Sequence, residues 1–549
     1  MFLQKVNFKE HDTRVKKYIL PQKILKTTGK VEGKELLLHC SERQVFLQEK
    51  VLASLTTTAE QKAGILFDFG FEFSGGALLS IHAVSGSEEA VIRLSFGESA
   101  NEALAALGEK GACNDHSPRD FSFCAKNFSV NELGSTGFRF LYVELLTACT
   151  VTLKAVQGVF CYQPLEYYGS FECSDPLLNK IYDTAAYTCH LCIQNEIWDG
   201  IKRDRLVWVG DMAPEMKTIK YVFGEIPQMS SGLEVSAQHA PLPEWIDTMA
   251  TYSLWWLIIL EEWCFYTGNY TTVDRQREYI CGLIRQILAH LDINGVFTAG
   301  SFIDWPSNDS LAAIAGTKGL TVLCLQACVR LCRYFKETQL AQQCRFALKR
   351  LSVCREDCGG MKQIASLLML AGIDDHGCAK VLKQGGAKGF STFMSYYILT
   401  AMARCCSEKE VLGALKKYYG TMLKLGATTF WEDFDITWAE NACGIDRICD
   451  GTKTDVHGDN GKYCYQGFRH SLCHGWSSGP VPFLTEYVLG VNILQKGCRV
   501  IALKPHLGNL QYARGSIATP KGRVEIVHTK AEDGKIITQV SAPKGIKVY

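Results

Sequence analysis

The residues best suited to chemistry lie between Trp198 and Glu215, in the stretch Trp-Asp-Gly-Ile-Lys-Arg-Asp-Arg-Leu-Val-Trp-Val-Gly-Asp-Met-Ala-Pro-Glu. The acids Asp199, Asp204, Asp211 and Glu215 are interleaved with Lys202, Arg203 and Arg205, and the indoles of Trp198 and Trp208 stand among them. A solvated charge run would not carry a Leu-Val-Trp-Val block. A core strand would not carry so many carboxylates and cations. The mixture suits a pocket wall, where aromatic faces stack on a ligand, carboxylates accept its hydrogen bonds and neighbouring cations set the carboxylate pKa values. A surface loop tied down by ion pairs is the plainer reading of the same composition.

Such a wall needs elements to hold it. With 549 residues the chain exceeds one ordinary core, so two or three domains are expected. Its composition, 47% apolar and 21% charged, is that of a globular protein, and a net charge of +1 gives no support for a nucleic-acid partner. Met1 to Leu20 lack the apolar segment of a secretory signal, so a cytoplasmic location is expected, with the 24 cysteines reduced. No membrane association is expected, because the longest apolar run noticed, Leu254 to Leu260, is far too short to span a bilayer. Cys189 and Cys192 form a lone Cys-x-x-Cys with no second pair behind it, a poor zinc site.

Up to about residue 165 short apolar or alternating runs read as strands: Ile65 to Phe73, Ala77 to Val84, Ala90 to Phe96 and Phe138 to Leu145. The Gly-Ser-rich Ser74-Gly75-Gly76 and Ser85-Gly86-Ser87 read as turns between them, and Glu98 to Cys113 is ambiguous. The pattern changes at Ser174-Asp175-Pro176, where either Ser174 or Asp175 can cap a helix and Leu177, Leu178, Ile181, Ala185 and Cys189 follow at helical spacing. Helices then follow to about residue 492, among them Asp247 to Thr267, Val273 to Asp292, Lys318 to Lys336, Leu340 to Leu351, Met361 to Leu370, Ser391 to Arg404 and Lys409 to Lys424. Aromatic and acidic residues collect in the loops Pro243 to Asp247, Phe302 to Ser307 and Thr428 to Asp435, as expected of a helical toroid with a central cleft. Four strands beyond Gly497 suggest a small C-terminal sheet, with a turn at Thr519 to Gly522. The expected division is a β-sandwich over 1–165, a helical catalytic domain over 166–492 and a β-sandwich-like domain over 493–549.

The run Asp199-Gly-Ile-Lys-Arg-Asp-Arg-Leu-Val-Trp-Val-Gly-Asp211 resembles the signature of the inverting α-L-rhamnosidases. Phe302-Ile-Asp-Trp305, Gly426-Ala-Thr-Thr-Phe-Trp-Glu432 and Ser471-Leu-Cys-His474 match the same family in the same order. The resemblance implies a multidomain α and β fold, with a central (α/α)6 barrel of six helical hairpins flanked by an N-terminal β-sandwich and a small C-terminal β-sheet domain. It implies Asp204 as general acid and Glu432 as general base. Asp199 and Asp211 would hold sugar hydroxyls, and Arg203, Trp208, Trp305 and His474 would complete the rhamnose subsite. No metal or cofactor is implied. The partners would be rhamnose-containing small glycosides or oligosaccharides, and a homo-oligomer is compatible with the sequence.

Three features depart from the family pattern or qualify it. Many relatives have Glu at the acid position, whereas Asp204 is shorter. The interval from Glu432 to His474 is long and holds a Gly- and Asp-rich loop, Ile445 to Lys462, that would shape leaving-group specificity. Arg203 and Arg205 flank Asp204, so its acid role requires them to pair elsewhere, with Asp199, Asp211 or Glu215. Trp255, Trp256 and Trp263 sit in an apolar helical stretch and read as core ahead of ligand platform. Two other readings stand beside the rhamnosidase: another (α/α)6 glycosidase, such as an uronyl hydrolase, and a sugar-binding relative with little catalysis.

Overall fold

The computed structural model describes residues 12–113, 118–351, 356–373 and 376–549. Residues 1–11, which open the segment read for an export signal, lie outside the described residues. The chain folds as a mixed α and β protein: an antiparallel sheet, a long helical region and smaller sheets near the C-terminus.

The first sheet has nine strands: β1 (Val15–Ile19), β2 (Lys23–Thr28), β3 (Lys30–Glu32), β4 (Ala53–Thr56), β5 (Ala63–Ser85), β6 (Ala90–Gly97), β7 (Asp120–Ala125), β8 (Ser129–Leu145) and β9 (Thr150–Tyr162). Their order is β3-β4-β9-β5-β8-β6-β7, with β1 on β9 and β2 on β5. The supposed turn at Ser74-Gly75-Gly76 is no turn. It lies inside the 23-residue β5, where the register to β8 slips between Gly75 and Ala77. Gly75, at φ 147°, lets the strand bulge and continue, so two expected strands are one. The ambiguous segment after β6 holds a short helix, Ala100–Leu104, capped by Ser99.

The first long helix, Pro176–Cys192, takes Asp175 of the two cap candidates Ser174 and Asp175: Asp175 accepts from Leu177 N, and Pro176 takes the first turn. Burial sorts the helices after it. Ala250–Thr267 is buried around almost its whole circumference, including Trp255, Trp256 and Trp263, so these indoles are core. Thr338–Leu351 buries only Leu340, Ala341, Cys344, Ala347 and Leu351, one face at helical spacing. Contacts run from Met212–Val222 to Ala250–Thr267, then to Ala312–Phe335, Lys362–Ala371, Ser395–Met402 and Pro480–Phe483, which packs back on Met212–Val222. Helices Met212–Val222, Pro227–Gln238 and His376–Lys383 add to the helical succession expected up to about residue 492.

Ala312–Phe335 corrects a second expectation, because it is long and apolar enough by composition to cross a membrane. Most of that span, 83%, is buried inside the protein, as in the core helix of a folded domain. One continuous core runs from Phe171 through the helices to Ile526. Ser170–Cys173 pairs with Tyr512–Ile517, so a strand preceding the helices joins the C-terminal sheet.

Candidate active site

Three loops are laced together by backbone hydrogen bonds. Glu432 N donates to Ser471 O at 2.9 Å and His474 N to Phe430 O at 3.1 Å, which sets 430–432 beside 471–474. Gly475 N donates to Asp199 O at 2.8 Å, which adds the Asp199 loop. Asp199 closes its own loop, because its Oδ1 accepts from Leu206 N at 2.9 Å and its N donates to Leu206 O. Inside that loop Asp204 and Arg205 both hold left-handed backbones, at φ 53° and 54°. A Cβ on Gly475 would fall 1.5 Å from Glu215 Oε1, so any other residue there would have to displace the buried Glu215 carboxyl.

The sheet reaches all three loops. Thr136 donates to Lys202 O, Arg205 donates to Ser135 O, Arg139 donates to Gly426 O and Glu98 accepts from Leu472 N at 2.6 Å. Lys202 is buried beneath the site, with its Nζ 2.7 Å from Glu102 Oε1 and 3.4 Å from Glu98 Oε2. Glu98, Glu102 and His457 converge closely enough to ligate a metal, but the Lys202 ammonium already supplies the cation there. Burial raises the Glu98 carboxyl to about 8 and, with Lys202, keeps the His457 ring neutral.

At the centre His474 Nε2 lies 3.6 Å from Asp199, 3.7 Å from Glu432 and 3.8 Å from Asp211. Burial opposes a charge on His474, but the three carboxyls outweigh it and raise its pKa. Asp211, at the start of Met212–Val222, accepts from Tyr252 OH at 2.8 Å, and burial pushes its carboxyl up to about 8. Burial also raises Asp199. Glu432 is buried too, yet Arg203 and His474 hold it below the ordinary glutamate value. The Arg203 guanidinium hydrogen-bonds Glu432 Oε1 and lies 3.2 Å from Asp204 Oδ2. One fork therefore touches both carboxyls, which places their nearest oxygens within about 8 Å of each other.

Arg203 does not make the pairing expected for the acid role. Arg203 faces Glu432 and Asp204 instead of Asp199, Asp211 or Glu215, because its Nε is anchored on Arg469 O at 2.9 Å. Arg205 reaches back to the sheet and lies over the Trp198 ring. Glu215 is buried with neither carboxyl oxygen hydrogen-bonded, and burial raises its pKa well above the ordinary range.

The indoles belong to a chain of ring contacts, Trp208–Tyr252, Tyr252–Phe302, Phe302–Trp305 and Trp305–Tyr463, joined to the carboxyls through the Tyr252 hydroxyl on Asp211. It ends at a cavity of about 690 Å³ lined by Pro306, Asp433 and Tyr463 among others. Asp204, Glu432 and His474 do not line it, but Asp433, the neighbour of Glu432, does. The structure thus gathers Asp199, Arg203, Asp204, Asp211, Glu432 and His474, with Trp208 and Trp305 linked through Tyr252 and Phe302. Sequence reasoning passed over Tyr252, Asp433 and Tyr463. Asp433 lay within a flagged acidic loop, Tyr463 just past the flagged 445–462 loop, whereas Tyr252 gave no signal in its apolar helix.

Residues 166–270 match the family model described as the bacterial alpha-L-rhamnosidase 6 hairpin glycosidase domain. That segment includes the stretch Asp199 to Asp211. A GH78 family rhamnosidase of Bacillus sp. GL1 superposes with a TM-score of 0.73 at 20% identity, over 94% of this chain and 55% of that one. A rhamnosidase from Klebsiella oxytoca with rhamnose bound gives 0.67 at 19% identity, over 86% of this chain and 96% of that one. A Streptomyces avermitilis α-L-rhamnosidase complexed with L-rhamnose gives 0.65 at 15% identity, over 88% and 48%. The chain thus has the fold of these enzymes and spans about half the length of the Bacillus and Streptomyces ones. No curated protein sequence matches it.

Proposed function

We propose that this protein is an α-L-rhamnosidase that removes terminal α-L-rhamnose from glycosides or oligosaccharides with inversion. The observation that carries the reading is the shared guanidinium: Arg203 bridges Asp204 and Glu432, the two carboxyls in the family's acid and base positions. Inversion uses carboxyls about 6.5 to 9.5 Å apart, with room for a water, and the Arg203 bridge is compatible with the lower part of that range. Glu432, held below its ordinary pKa, is ionised at neutral pH and suited to activate that water. His474, whose pKa the surrounding carboxyls raise, would take the sugar hydroxyls together with Asp199 and Asp211. The two carboxyls make both proton transfers, so the reaction needs no metal.

A proton donor cannot remain the partner of a guanidinium, so Asp204 must turn from Arg203 toward the glycosidic oxygen when substrate enters. A second assignment rests on Asp211: raised to about 8, it carries a proton at neutral pH without rearrangement. The cyclic order of helix contacts, from Met212–Val222 round to Pro480–Phe483 and back, supports an (α/α)6 barrel over 166–492, between a β-sandwich over 1–165 and a β-domain over 493–549. A panel of nitrophenyl glycosides tests the function. Turnover of the α-L-rhamnoside supports it, turnover of a different glycoside selects another glycosidase, and binding without turnover selects a sugar-binding protein.

A further inference from the structure

The cavity beyond Tyr463 is walled by residues that the reaction does not use. Lys362, Lys388 and Lys462 line it, and among the described residues no carboxylate lies within ion-pair distance of any of them. Lys362 is 5% exposed, in the first turn of Lys362–Ala371, and its ammonium donates to Gly386 O and lies 5.4 Å from the Phe390 ring centre. A buried ammonium with no anion is costly. Burial accordingly lowers its pKa to about 8.

The acids of the same wall do not balance these cations. Asp459 is paired with Lys110, and Asp435, which accepts from the backbone N–H and hydroxyl of Thr437, is a single carboxylate against three lysines. Asp433 is raised to about 8 by burial and is largely uncharged at neutral pH. The cavity is therefore electropositive and adjoins the candidate site through Asp433, the neighbour of Glu432, and through Tyr463, stacked on Trp305. Its volume is that of a pocket for a small ligand.

We propose that this cavity holds the carboxylate of an acidic leaving-group sugar, so that the preferred substrate is α-L-rhamnose linked to a uronate. The inference rests on the rhamnosidase reading and narrows its substrate class. Lys362 makes the desolvated contact, and Lys388 and Lys462 hold the anion from the rim. A carboxylate replaces the missing counter-charge, whereas a neutral sugar leaves Lys362 unpaired.

The test compares kcat/KM for rhamnosyl-(1→4)-glucuronate and rhamnosyl-(1→4)-glucose. The acidic disaccharide should be preferred about tenfold or more at low ionic strength, and less so in about 0.5 M salt. Lys362→Gln should remove most of that preference. Because Lys362 is buried, Lys388→Gln and Lys462→Gln serve as folded controls, and each should reduce it in part. Equal use of the two disaccharides, or a preference that survives all three substitutions, overturns the inference while nitrophenyl rhamnoside turnover still upholds the hydrolase. If no rhamnoside is turned over, titration with glucuronate and with glucose decides the matter separately. Binding of glucuronate alone, lost in Lys362→Gln, sustains the anion site, and no binding overturns it.

Discussion

At Asp204 the chain joins a left-handed backbone to a carboxyl 3.2 Å from Arg203. If Asp204 is the acid, Asp204→Asn should depress hydrolysis of unactivated rhamnosides at least 100-fold more than that of nitrophenyl rhamnoside, whose phenolate leaves with little protonation. Equal losses on both substrates would move the acid role to Asp211. Arg203→Gln tests the base. Arg203 holds Glu432 in its ionised form, so without it the carboxylate protonates at higher pH, and the acidic limb of kcat/KM should move up by about one unit or more. An unmoved limb would mean that Glu432 is not the group being titrated. The stereochemistry follows from the same pair: proton NMR in the first minutes should show β-L-rhamnose before mutarotation, and initial α-anomer would exclude Glu432 as base.

At the scale of elements, the site is three loops held against a sheet by buried charge. Lys202→Met should cost about 3–5 kcal/mol, because it leaves the buried Glu102 carboxylate, beside the protonated Glu98, without its cation. Denaturant unfolding measures this, and a change under about 1 kcal/mol would show that the cluster does not hold the loops. The sequence made the loops legible but not their fastening. Asp199, Asp204, Asp211, Glu432 and His474 stood in recognisable motifs, and a cap at Ser174 or Asp175 and most helix cores followed from local rules. Glu98 fell in a segment with no clear pattern, and its partner Leu472 lies 374 residues away. Arg203 was expected to turn from Asp204 because its distant anchor, Arg469 O, leaves no local trace. Ser74-Gly75-Gly76 looked like a turn because a bulge and a turn use the same residues, and only pairing to β8 separates them.

For the whole molecule, several buried carboxyls keep their protons in the fold: Asp211, Glu98 and Asp433 at about 8, and Glu72 and Glu215 well above the ordinary range. Unfolding returns each to its ordinary value near 4, so between about pH 4 and 8 the unfolded chain binds fewer protons and stability falls as pH rises. Each fully buried group contributes roughly 1 kcal/mol per pH unit to that slope. The melting temperature should thus decline from pH 5 to pH 8, and Asp211→Asn should flatten the decline. A melting temperature that climbs over this range would contradict the protonated carboxyls. Activity, by contrast, should survive chelators unchanged if, as proposed, the two carboxyls make both proton transfers. Loss in chelator, restored by a divalent ion, would overturn that.

The two left-handed residues, Asp204 and Arg205, bear on how this protein would drift under selection. A side chain in that conformation costs about 1 kcal/mol that glycine largely avoids, so Asp204→Gly should hold or raise the melting temperature while removing the proposed proton donor. Libraries screened for heat resistance alone should accumulate glycine at 204 and lose turnover. Libraries screened for growth on a rhamnoside should keep the strained aspartate, and the contrast between the two lineages would measure how much stability this position gives up for its work.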